Sequence, residues 1–280
     1  MDLRYPSLGW GKLSGLALAV YFSLFFGFFP QTVALAEDED YKILREIIVN
    51  EFRDHKAEKR GGDHGEVIKT FPATDKRVAI GVVACLDMGS EIDLPLLDKL
   101  AARKIPFSVF TDQAWLKQHE LKLKPFVENN LTQFENHGSF CRALSVDGKV
   151  TGNFAKTSTL EEVFEEVEDN ARAIERFSGR LPRFYRSGQS SYDDVALKIV
   201  NVLGYQAVEG DLKLKAKDVE SPQAISLFFK NARPGSIIFM PANRPGASEK
   251  WVDLFVSGIS KAGYSVVSLD DVIGNEAEDI

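Results

Sequence analysis

The chain is poor in cysteine and histidine, with two of the first and four of the second in 280 residues. Two cysteines allow one intramolecular disulfide at most, so a disulfide framework cannot carry the fold and a hydrophobic core must. Charge of one sign is not in large excess: 34 Lys and Arg stand against 41 Asp and Glu, for a net charge of −7. Without a global basic field, attraction to a phosphate backbone is no basis for function, and nucleic acid is excluded as the expected partner. No internal repeat and no low-complexity tract occurs. What is present is 44% hydrophobic and 27% charged residues, enough to bury one large core or two small ones.

The N-terminus carries the clearest regional signal. Arg4 and Lys12 precede "LSGLALAVYFSLFFGFF", no charge falls between positions 13 and 36, and Ala34-Leu35-Ala36 supplies small residues before acidic Glu37. Residues 1–36 are expected to be a secretory signal peptide, and the alternative is a retained anchor because the run is nearly long enough to span a bilayer. Either way the rest of the chain is expected outside the cytoplasm, periplasmic or extracellular, touching a membrane only through an uncleaved N-terminal segment. Residues 37–75 read as a helical extension: Ile43, Leu44, Ile47, Ile48 and Phe52 recur at helical spacing before "GGDHG" breaks the pattern. His55 and His64 there, and His119 in the charged stretch "LKQHELKLK", are expected to be solvated.

From residue 76 to 274 the texture changes, leaving 275–280 as a tail. "RVAIGVVACL" is a continuous apolar, β-branched run such as a doubly buried strand shows. Helical stretches near 94–103 and from Trp115 alternate with "IPFSVF" and "LTQFE". Thr159 and Glu162 form a capping box ahead of an amphipathic helix that Gly179 closes. "PRFYR", the helix "DDVALKIVNVL", "YQAVEG", "GSIIFM", a helix over 249–262 and "YSVVSL" complete the series. About seven strands with intervening helices predict an α/β fold with a parallel sheet, open or closed into a barrel. Functional groups then belong at the C-terminal strand ends.

The residues just past the strands meet that expectation. The first strand is followed by Cys85, Asp87, Met88 and Gly89, then Asp93; the third by His137 and Cys141; the fourth by Arg186-Ser187-Gly188; the sixth by Pro241, Asn243 and Arg244.

Order and spacing resemble the polysaccharide deacetylase family, carbohydrate esterase family 4, over about residues 76–273. The resemblance implies a (β/α) barrel, a divalent metal, usually zinc, and an acetylated glycan as substrate, with N-acetyl groups hydrolysed. "ACLDMG" is similar to the family's "TFDDG", so Asp87 aligns with the general base and Met88 with a metal ligand. Thioether sulfur is a poor partner for a hard or borderline cation, and Asp93 is the acidic residue that a displaced ligand would use. "NHGSFC" resembles the family's histidine pair at i and i+4, with His137 kept and Cys141 in the second place. Thiolate binds zinc well. "RFYRSG" places Arg186 where the family orients its base, and "PGSIIFMP" places Pro241 where the family's acid protonates the leaving amine. Pro241 has no titratable group. Arg244 offers charge to a developing anion, and Tyr185, Tyr192 and Trp115 offer stacking faces to sugars.

Three altered positions leave two readings open, a deacetylase of lowered activity and a non-catalytic glycan-binding pseudoenzyme. Plainer roles stand beside the site roles: Asp87 as a helix cap, Arg186 as an ion-pair partner, the cysteines as buried apolar side chains. Cys85 and Asp87, two apart on a strand, share a face, and Cys141 belongs to the motif opposite. A Cys85–Cys141 disulfide is therefore expected after export, worth roughly 4 kcal/mol on the chain-entropy model, and it excludes Cys141 from binding metal.

Overall fold

The computed structural model describes residues 29–86, 89, 91–242 and 248–274, the side chains of 29–38 and 248–250 excepted. Most of the expected signal peptide therefore lies outside the described residues. The chain forms two compact units, 1–47 and 48–280. The described part of the first is helical, the bulk of α1 (Phe29–Phe52). No helix among the described residues is long and apolar enough to cross a membrane.

The second unit is built on β2 (Arg77–Ala84), the apolar run singled out above. It pairs in parallel with β3 (Phe107–Thr111) through its C-terminal half and with β10 (Ser265–Val267) through its N-terminal half. On its other side β9 (Ser236–Pro241) runs parallel to it. Beyond these lie β4 (Thr132–Asn136), β5 (Phe184–Tyr185), β7 (Gln206–Ala207) and β8 (Leu212–Lys213), in the order β7-β5-β4-β3-β2-β9-β8. The seven parallel strands of this path, with β10 added beside β2, curve into a half-barrel wrapped by helices, as the alternation predicts. The expected extension of residues 37–75 is helical to Phe52, and its later part bonds to the sheet. Ile68 pairs with Val208 beside β7, and Thr70 pairs with Ser236 on β9. A further short strand, β1 (Arg60–Gly61), pairs antiparallel with β6 (Tyr192–Asp193).

Alternation along β2 divides the core. Val78, Ile80, Val82 and Ala84 face the helices α2 (Leu94–Ala102) and α7 (Ser248–Ala262), among Leu96, Leu97, Trp251, Val252 and Phe255. Ala79 and Val83 face the barrel interior with Phe110, Phe184, Ile237 and Phe239. Burying each large apolar side chain contributes about 1.5–3 kcal/mol. Gly81 faces the interior too, and a Cβ there would lie 2.3 Å from the Phe239 ring. The missing side chain lets Phe239 fill the barrel floor.

Helix starts follow the capping signals. Asp112 caps α3 (Gln113–Val127) through Trp115 N at 2.6 Å, and Thr159 caps α4 (Leu160–Ser178) through Glu162 N at 3.2 Å. Gly179 ends α4 at φ +73°, the left-handed conformation that glycine adopts without a Cβ penalty. Asp193 caps α5 (Asp194–Val202) through Ala196 N, and Ser221 caps α6 (Pro222–Phe229) through Ala224 N. The chain ends its described fold in α8 (Leu269–Val272).

Two histidines depart from expectation. His119 is buried against Trp115, with ring centroids 4.6 Å apart, and His64 is buried beside Tyr192. In α3 the charged residues around His119 occupy the outer face, while His119 falls one turn after Trp115 on the inner one. His55 is exposed, as expected.

Candidate metal and glycan site

The loop after β4 is fixed from beneath by α4. Asn136, the last residue of β4, donates to Val167 O at 2.8 Å and accepts from Gly138 N and Asn170 Nδ2. Gly138 turns the chain at φ +84°, and a Cβ there would meet Glu166 Oε1 at 2.2 Å. That same carboxylate oxygen accepts from Phe140 N at 3.0 Å and Arg142 N at 2.9 Å, while Oε2 takes Arg142 Nε at 2.7 Å. Burial raises the Glu166 carboxyl, and its bonds to Arg142 and Phe140 N oppose the rise. The result is a tight loop in which Cys141, at φ +57°, turns back toward His137.

His137 is held in one tautomer. Its Nδ1 lies 2.6 Å from Arg186 O, a carbonyl that only accepts, so Nδ1 carries the proton and Nε2 presents a lone pair. Cys141 Sγ lies 3.1 Å from Nε2 and donates to it. Burial, with the neighbouring Arg186 charge, lowers the imidazole to about 3, so it is neutral at ordinary pH. The Cys141 thiol is pushed up by its hydrogen bond with Cys85 and by burial. Cys85 follows the end of β2 with 1% exposure. The Cys85 and Cys141 sulfurs and a His137 nitrogen all lie within 4.8 Å of one another, and the sulfurs are not bonded together. The two cysteines are thus brought face to face as thiols.

These residues line a cavity of about 450 Å³ at the C-terminal strand ends, with Phe154, Arg186, Gln189, Lys213 and Pro241 on its walls. Among the described residues four non-glycines have positive φ, and Cys141, Gln189 and Ser190 of them line this cavity. Such backbone costs about 1–3 kcal/mol per residue and clusters at functional sites. Arg186 spreads over the Phe239 ring at 4.9 Å. Its Nη2 donates to Glu209 Oε1 at 3.0 Å and to Ser190 Oγ at 2.8 Å, and Lys213 Nζ reaches the same carboxylate oxygen at 3.0 Å.

The remaining expected site residues divide. Asp87, Met88 and Arg244 lie outside the described residues. Asp93 caps α2, accepting from Leu96 N at 3.1 Å, and its carboxylate is not part of the thiol–imidazole cluster. Tyr185 and Tyr192 are fully buried with ring centroids 6.5 Å apart, and Tyr192 Oη accepts from Ser187 N. They pack beneath the site and present no face to a sugar, because in two-residue strands the inward register takes both rings into the core. Trp115 is likewise buried, donating to Glu91 O. Pro241 stands at the cavity wall, so no proton is available from that position.

Sequence reading missed Glu166, Glu209 and Lys213 and gave Cys85 no part in metal binding. Glu166 had a signal: with Val163, Val167, Asn170 and Ile174 it lies on one helical face of α4. Glu209 follows a two-residue strand whose parity no local pattern reveals.

The donor set of two thiols and one oriented imidazole fits a thiophilic cation such as zinc, and does not fit a hard, oxygen-seeking one.

Residues 75–208 match the family model for polysaccharide deacetylase. No curated protein matches the chain. Among solved structures the fold is similar to a carbohydrate esterase family 4 pseudoenzyme from Bacillus anthracis, with TM-score 0.60 and 17% identity, covering 74% of this chain and 69% of that one. It is also similar to Bacillus subtilis PdaA, a family 4 carbohydrate esterase, with TM-score 0.59, 17% identity and coverage of 74% and 84%. A peptidoglycan N-acetylglucosamine deacetylase aligns with TM-score 0.61, 17% identity and coverage of 75% and 95%. At such identities the likeness is one of fold.

Proposed function

We propose, for a chain whose residues 75–208 form a polysaccharide deacetylase domain, that the cavity binds an acetylated amino-sugar glycan outside the cytoplasm and hydrolyses it weakly or not at all. The observation that carries this reading is the wall of the cavity. His137 is held neutral with Nε2 presented, as a metal-dependent deacetylase needs, while Pro241 stands at the end of β9 without a proton to give.

The residues divide the work as follows. His137 and Cys141 would hold the metal, which would supply polarisation of an acetyl carbonyl and acidification of a water. Asp87, by its resemblance to the family's base, takes a proton from the attacking water. Arg186, fixed by Glu209 and Phe239, gives the cavity a positive wall for a developing oxyanion. No group at Pro241 protonates a leaving amine, a contribution typically worth about 10²- to 10⁴-fold in rate. Ligand binding thus outlasts catalysis. The glycan-binding role is favoured over ordinary hydrolysis by this missing acid, and Phe154 in the wall offers the sugar an aromatic face.

The test compares acetylated and fully deacetylated N-acetylglucosamine oligomers by calorimetry, and acetate release by the native protein and Pro241→His. Binding of the acetylated oligomer alone, slow acetate release and a rise of up to about 10²-fold in the variant are expected. Equal indifference to both oligomers overturns the reading.

A further inference from the structure

We propose that Cys85, His137 and Cys141 together form a three-ligand centre for a thiophilic divalent cation, zinc foremost, with its fourth position open to the cavity. The inference rests on the reading of this cavity as the working site, and its test reads metal rather than glycan, so the two fail separately.

By the resemblance, two of the family's ligand positions are changed in this sequence. Met88 stands where the resembled motif has a carboxylate ligand, and Cys141 where it has an imidazole. Cys85, three residues before Met88 in sequence, adds a second sulfur, so that thiol, imidazole and thiol converge within 4.8 Å. In a tetrahedral shell two sulfurs bound to one zinc at about 2.3 Å stand roughly 3.8 Å apart, inside the 4.8 Å span that contains the three ligand atoms.

Position and second contacts agree. Cys85 continues the interior face of β2 set by Ala79 and Val83. The His137 proton is engaged by Arg186 O, the arrangement that orients a metal-bound imidazole and fixes which nitrogen is free. All three residues line the cavity, so an ion held by them is reached from it, which leaves a position for water or a glycan oxygen. Binding is balanced: Zn²⁺ displaces the protons of the Cys85 and Cys141 thiols, two protons leave to solvent, and the pair of thiolates neutralises the cation. Among the described residues no carboxylate joins this cluster, a donor set that disfavours oxygen-preferring ions such as Mg²⁺.

The experiment titrates Co²⁺ into the full chain, reduced and freed of metal, and follows the near-ultraviolet thiolate-to-cobalt band, whose intensity counts the sulfurs bound. One equivalent of Co²⁺ with a two-thiolate band, displaced by Zn²⁺ and untouched by Mg²⁺, is expected. Cys85→Ser and Cys141→Ser should each halve the band and weaken zinc at least about tenfold. Asp93→Asn should leave both unchanged. A spectrum of the native protein with one thiolate or none overturns the proposal without recourse to any variant, as does a Cys85→Ser band of native intensity.

Discussion

Gly188 lies against the backbone of Cys141: a Cβ built on Gly188 would stand 1.7 Å from the Cys141 carbonyl oxygen. Gly188 N also donates to Arg142 O at 3.0 Å. The turn after β5 and the loop after β4 therefore touch through backbone alone, and glycine is required by the closeness of that approach. Gly188→Ala should push Cys141 away from His137, cost about 1–3 kcal/mol by overpacking, and lower zinc affinity. Gly65→Ala, where a Cβ meets nothing within 4 Å, is the control. Urea melts and zinc titrations of both variants check this, and equal behaviour contradicts it.

Glu166 ties the metal loop to α4 through two backbone amides and Arg142. Glu166→Ala leaves the two amides without their acceptor and Arg142 with Glu162, 3.9 Å away, as its remaining carboxylate partner, at a cost of about 1–3 kcal/mol. Hydrogen exchange at the Phe140 and Arg142 amides should accelerate well before the barrel strands respond. Unchanged protection at those two amides would show that the loop is held by something else.

Glu209 is the buried partner of Arg186, with Lys213 on its outer side. Glu209→Ala is expected to destabilise the fold by about 3–5 kcal/mol, most of it the penalty of stranding the Arg186 charge. Lys213→Ala, at an exposed position, should cost less than about 1 kcal/mol. Paired denaturation curves settle the order.

The fold also carries a pH dependence at Glu135, which lines a different cavity from His137. Burial raises the Glu135 carboxyl from 4.5 to about 8, although Arg183 N and Phe184 N donate to it. Because the folded value exceeds the unfolded one, its stabilising contribution is complete below pH 4.5 and declines as the pH rises to about 8. The loss is on the order of a few kcal/mol. Glu135→Gln should remove this component, so the native-minus-variant stability difference should fall between pH 4.5 and 8. A difference that stays constant across that window contradicts the assignment.

The strand–helix alternation was legible because doubly buried strands such as β2 and amphipathic helices such as α4 write different periods into the sequence. So was the placement of His137, Cys141 and Arg186 at strand ends, since the parallel sheet gathers those ends on one side. The two-residue strands β5 and β8 were not so legible: too short to show a parity, β5 hid that Tyr185 points into the core, and β8 went unseen. Cys85 was read as a partner for Cys141 alone. Its nearness to His137 depends on how far β2 and β4 are staggered, which no local pattern records.

X-ray absorption at the zinc edge of the loaded protein directly reads the shell of a cation held by Cys85, His137 and Cys141. Two sulfur neighbours at about 2.3 Å and one nitrogen at about 2.0–2.1 Å, with a lighter fourth scatterer, are the predicted result. A shell of nitrogen and oxygen without sulfur would contradict it.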